Sequence, residues 1–99
     1  MNVFINSVHF KADRKLSTFI KDKLSKLNTF YDGVIGAEVK LKLDNSDKPE
    51  NKIIEVRLMI RGNDLFSEKT AKSFEEATDL AADALKKQLI RYKSKVRGI

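Results

Sequence analysis

Between Leu16 and Tyr31 the apolar side chains recur at three- and four-residue steps: Leu16, Phe19, Ile20, Leu24, Leu27 and Tyr31. That spacing places them on one side of an α-helix. Asp13 stands where an N-cap belongs, because its carboxylate can accept from the free amides of the first turn. Asp32-Gly33 predicts the helix end, since glycine accommodates the left-handed turn that often closes a helix. The short β-prone run VFIN, residues 3–6, predicts a strand ahead of it.

From Ala37 the period changes to two. Ala37, Val39, Leu41 and Leu43 alternate with Glu38, Lys40, Lys42 and Asp44, the pattern of a strand with one wet face. Residues 44–51, DNSDKPEN, are a polar loop holding the only proline. Ile54, Val56, Leu58 and Ile60 then alternate with Glu55, Arg57, Met59 and Arg61. Arg61-Gly62-Asn63-Asp64 reads as a tight turn, so residues 64–71 return as an antiparallel strand. Ser73-Phe74-Glu75-Glu76 is a capping box. Behind it Phe74, Ala77, Leu80, Ala81, Ala84, Leu85, Leu89 and Tyr92 form the apolar stripe of a long helix. The order is β-α-β-β-β-α, an α+β domain with two helices packed on one face of a four-stranded sheet, and residues 1–99 make one domain.

Charge sharpens this picture at one place. The formal excess is +6, and residues 84–99 hold Lys86, Lys87, Arg91, Lys93, Lys95 and Arg97 with no acid. The other 83 residues balance, with fourteen charges of each sign. Cations favour a helix C-terminus by about 0.3–1 kcal/mol each, but only within the last turn. Lys87–Arg91, Arg91–Lys95 and Lys93–Arg97 are like-charged at four-residue spacing, a cost of about 0.2–0.5 kcal/mol per pair. Only Asp83–Lys87 compensates in that register. A helix over 74–96 is roughly 35 Å long, against about 23 Å for a seven-residue strand. The basic end is therefore expected to project past the sheet as an arm for an anionic partner, nucleic acid first. Arg14, Lys15, Lys21, Lys23 and Lys26 add cations to the first helix. Phe30, Tyr31 and Tyr92 are aromatic and could stack on bases, but core packing explains each of them better.

At this point the sequence resembles the ribosome hibernation promoting factors, the protein Y or ribosome-associated inhibitor family, in their short form. The likeness runs through LSKLNTFYDGV (24–34), VKLKLD (39–44) and SFEEATDLAADALKKQLIRYKSK (73–95). It implies a non-catalytic factor that binds the small ribosomal subunit and its rRNA in the channel used by messenger and transfer RNAs. Such a factor inhibits translation in stationary phase or stress. The resemblance carries RNA contact onto Lys23, Lys26 and Lys42, then onto Lys87, Arg91, Lys93, Lys95 and Arg97, to which the charge pattern adds Lys86. Glu75 and Ser73 depart from the family's usual tyrosine and aspartate. The chain ends at Ile99, so the pairing domain of long-form members is not expected.

Other chemistry finds little support. One histidine, His9, and no cysteine leave no basis for a metal cluster, a thiol nucleophile or a disulfide. Four glycines form no phosphate loop. No enzyme activity, cofactor or small-molecule substrate is expected. Neither a membrane segment nor a signal pattern appears, so the expected location is cytoplasmic. The rival readings are a basic protein-interaction domain that docks an acidic partner and a generic double-stranded RNA-binding module.

Overall fold

The fold comes from a computed structural model, which describes residues 1–45 and 47–97, with Val96 and Arg97 described by their backbone alone. The elements are β1 (Asn2–Ser7), α1 (Arg14–Ser25), a short 3-10 turn (Lys26–Thr29), β2 (Val34–Leu43), β3 (Lys52–Ile60), β4 (Asn63–Ala71) and α2 (Phe74–Arg97). The sheet order is β1-β2-β3-β4, with β1 parallel to β2 and the other pairs antiparallel. This is the expected β-α-β-β-β-α arrangement.

One face of the sheet is packed and the other is open. Ala37, Val39 and Leu41 of β2 and Ile54, Val56, Leu58 and Ile60 of β3 meet Leu16, Ile20 and Leu24 of α1 and Ala77, Ala81, Leu85 and Leu89 of α2. All are buried, because an apolar stripe on each helix and one apolar sheet face leave water together. Burying each Leu or Ile contributes about 1.5–3 kcal/mol.

Local signals set the helix starts. Asp13 Oδ1 accepts from the Leu16 amide at 2.8 Å, and Ser73 Oγ accepts from the Glu76 amide at 3.0 Å. The first helix does not run to Asp32-Gly33. It tightens into the 3-10 turn at Lys26, and Gly33 instead gives the backbone room beside the Tyr31 ring, where a Cβ would stand 2.4 Å from a ring carbon. Gly62, at φ +81°, makes the tight β3–β4 turn that its sequence predicts.

Two apolar positions differ from the periodic reading. Leu43 keeps the inward phase of β2 yet is 46% exposed, near the strand's end. Leu80 is 45% exposed, and Thr78 is buried in the stripe instead. Its hydroxyl donates to the Phe74 carbonyl at 2.6 Å, so a polar residue enters the core without an orphaned group.

The arm is also shorter than expected. The central strands have nine or ten residues, so β3 and β4 span about 30 Å. Residues 74–92 of α2 cover about 28 Å and run alongside them. Gln88 Nε2 donates to the Phe66 carbonyl on edge strand β4 at 3.0 Å, and the Tyr92 hydroxyl donates to the Arg61 carbonyl at 3.2 Å. Lys86, Lys87 and Arg91 thus flank the body of the domain. Beyond Tyr92, the last of these contacts, stand Lys93, Lys95 and Arg97.

Candidate nucleic-acid interface

The candidate cations fall into three groups according to their neighbours. Lys23 on α1 reaches Asp79 on α2 at 2.9 Å, and its ammonium lies 5.6 Å from the Phe19 ring centre. Lys87 reaches Asp83 at 3.2 Å, one turn back on α2. These two are neutralised locally. The groove between the helices is therefore mixed in charge rather than walled by cations alone, with Lys23, Lys26 and Lys86 facing Asp79 and Asp83.

A second group carries no ion pair among the described residues. Lys26, Arg91 and Lys95 are exposed, and Lys86 holds its ammonium 4.8 Å above the centre of the Phe30 ring. Half-buried Lys93 lines a separate cleft with Arg61. Along α2 the acids end at Asp83, and from Lys86 onward the charge is of one sign. The Arg97 side chain lies outside the described residues.

Lys42 forms the third group by itself. It points from β2 to the open sheet face, away from the helices, and binds Glu55. That contact holds the Glu55 carboxyl below its ordinary range, chiefly because the ammonium donates to it, with partial burial opposing. The Lys42 ammonium is raised by the same hydrogen bond, against a smaller lowering by burial. Arg57 on the same face is held by Asp64 at 2.7 Å and by Glu38 at 3.4 Å, and its pKa is raised by those acids, Asp64 first. The structure thus gathers Lys23, Lys26, Lys86, Lys87, Arg91, Lys93 and Lys95 on the helical side and sets Lys42 apart.

Sequence reading missed two kinds of residue here. Asp79 neutralises a cation from another helix, which no i,i+4 pattern reveals. Arg61 reads as a turn residue, and its place beside Lys93 depends on α2 returning along β4. Among the described residues no group of three or more His, Asp or Glu side chains could hold a metal ion, and no helix is long and apolar enough to cross a membrane.

Together, the open-faced sheet, the two covering helices and the one-signed end of α2 define a two-layer α+β domain with a polarised basic side. The profile of the Sigma 54 modulation protein / S30EA ribosomal protein family matches residues 3–97, and the chain belongs to that family. Ribosome hibernation promoting factor of Pseudomonas putida, strain KT2440, is 25% identical over 99 residues, spanning all of this chain and 93% of the relative. A ribosomal subunit interface protein from Coxiella burnetii has the same fold, with a TM-score of 0.83 and 16% identity over 95% of this chain and 99% of that one. The N-terminal domain of Thermus thermophilus Protein Y matches with a TM-score of 0.78 and 23% identity, covering 93% of this chain and 99% of that domain.

Proposed function

We propose that this protein is a cytoplasmic, non-catalytic hibernation factor that binds rRNA of the small ribosomal subunit in the messenger and transfer RNA channel. In doing so it keeps idle ribosomes from translating in stationary phase or stress. One observation carries the reading: Lys86, Arg91, Lys93 and Lys95 of α2 have no carboxylate partner among the described residues. Like charges left unpaired along one helix cost the isolated fold stability, and a phosphate backbone reverses that cost. The family supports the target, and the Pseudomonas putida relative is named for ribosome hibernation. Without a base-reading motif, the contacts expected of these cations are to phosphates and to RNA shape.

Co-sedimentation with purified small subunits through a sucrose gradient tests this. The protein should travel with the subunit, compete with transfer RNA for it, and dissociate as salt rises. With about six phosphates neutralised, the slope of log affinity against log salt should be on the order of −4 to −5. Migration at the top of the gradient at moderate salt would remove the proposal. Retention of a partner after ribonuclease treatment would favour a protein-docking role instead.

A further inference from the structure

Phe30 divides two clefts. On one side lies the groove between the helices, lined by Lys23, Lys26 and Lys86. On the other a cleft of about 420 Å³ is lined by Thr29, Tyr31, Asp32, Gly33, Arg61 and Lys93. Thr29 and Phe30 belong to both. The second cleft lies within the range of about 300–1,000 Å³ typical of small-ligand sites.

Its walls are held by three contacts. The Arg61 amide donates to the Gly33 carbonyl at 3.3 Å, and the Arg61 carbonyl accepts from the Tyr92 hydroxyl at 3.2 Å. The Tyr31 and Tyr92 rings meet edge to face, 5.7 Å apart. One turn, one strand end and one helix are thereby pinned around the opening, which holds the Arg61 backbone while its side chain stays exposed. Of the three aromatics, Tyr31 and Tyr92 pack against the core, whereas Phe30 lies outside that cluster. Its ring is half-buried, with the Lys86 ammonium over it.

The chemistry is specific. Arg61 and Lys93 have no ion-pair partner among the described residues, so two cations border one small cleft. Guanidinium and ammonium groups so placed suit a single phosphate. Asp32 lines the same cleft. Its carboxylate can accept from the amine or ring N–H of a base. An aromatic ring beside a phosphate site is the arrangement by which single strands are held, because every base has a face to stack. The geometry points to a site for one unpaired nucleotide of an RNA strand, its phosphate on Arg61 and Lys93 and its base against Phe30. Duplex RNA cannot fill it, since paired bases are stacked on one another. This site deepens the RNA-binding reading and rests on it.

The test measures affinity of the full chain for a short labelled single-stranded RNA and for a blunt RNA duplex. It compares the unaltered protein with Arg61→Gln, Phe30→Leu and the arm variant Lys87→Gln/Arg91→Gln/Lys95→Gln, each checked for an unchanged melting curve. Arg61→Gln and Phe30→Leu should each weaken single-strand binding about tenfold and leave duplex binding within about twofold. Arg61→Gln alone should make the salt slope shallower, by about one. The arm variant should weaken both RNAs. If Phe30→Leu fails to fold, Arg61→Gln decides the matter by itself, since that side chain is exposed. Equal losses on both RNAs, or no loss on either while the arm variant weakens both, would overturn the cleft and leave the arm standing. Binding untouched by the arm variant would overturn the RNA reading beneath it. Displacement of the strand by a free nucleoside monophosphate at millimolar concentration would reassign the cleft to a small ligand.

Discussion

The two sides of this domain both carry lysine and arginine, but their neighbours differ. On the open sheet face, Lys42 is held by Glu55, and Arg57 by Asp64 and Glu38. On the helical side, Lys86, Arg91, Lys93 and Lys95 make no ion pair among the described residues. Surface ion pairs contribute only about 0–1 kcal/mol, so pairing does little for the fold. What it changes is availability: a paired ammonium must break one contact before it neutralises a phosphate, and an unpaired one need not. The comparison teaches that an anion-binding surface is marked by cations without carboxylates, and that a count of basic residues misses this. Phe4 and Phe66 reinforce the contrast. They stand 62% and 54% exposed on the open face, in one cross-strand row with Glu38 and Arg57 between them.

The sharpest way to break the comparison is to neutralise each side in turn. Lys87→Gln/Arg91→Gln/Lys95→Gln should weaken binding to the small subunit by about a hundredfold, since the contacts of the unpaired Arg91 and Lys95 are lost together with that of Lys87, which Asp83 holds in part. Its melting temperature should hold, because the repulsions at 87–91 and 91–95 go with the charges and offset the lost Asp83–Lys87 pair. Lys40→Gln/Lys42→Gln on the open face should change binding by less than about twofold. Affinity losses of similar size from the two variants, measured by co-sedimentation, would show that net charge alone governs binding.

The order of elements was legible because each segment has one clear period, and the ordered helix stripes and strand alternations agree with their caps and turns. The start of β2 was not. Residue pairing shifts between Val34 and Gly36, a bulge that leaves Ile35 57% exposed and breaks the alternation just before Ala37. Leu43 and Leu80 fit the local period yet stand exposed, which the docking of the helices decides rather than the local pattern. The candidate site was half legible for the same reason. The one-signed charge run of α2 is local and visible, whereas the Lys23–Asp79 and Lys42–Glu55 pairs join residues distant in sequence. The length of the arm depended on strand length, and strand ends are less sharply marked than helix caps.

A smaller effect should come from the acids of the helical side. Asp79 and Asp83 lie past the first turn of α2, where Glu75 and Glu76 already favour the helix dipole. Asp79→Asn/Asp83→Asn frees Lys23 and Lys87 and removes two charges that repel phosphate. Affinity for small subunits should rise a few-fold, and the salt slope should steepen by one to two at most, roughly. Stability should fall by no more than about 1 kcal/mol per pair. Unchanged affinity would mean that pairing does not withhold these lysines from RNA.

The smallest effect tests the open face by pH. Glu55 has its carboxyl lowered by the Lys42 ammonium, so the folded state holds its ionised form more firmly than the unfolded chain does. Its stabilisation is present above the ordinary carboxylate value of about 4.3 and is lost as pH falls through the lowered value. Lys42, whose pKa is raised, contributes below the ordinary lysine value of about 10.4, and that part fades as pH climbs past it. Glu55→Gln should therefore melt slightly below the unaltered protein across the neutral range. The gap should close in acid below about pH 4 and again in strong alkali. Small-subunit affinity at neutral pH should not change, because the lysine so released faces away from the helices. A gap that persists unchanged into acid would show that the pair does not form, and a gain in affinity would place Lys42 within reach of RNA after all.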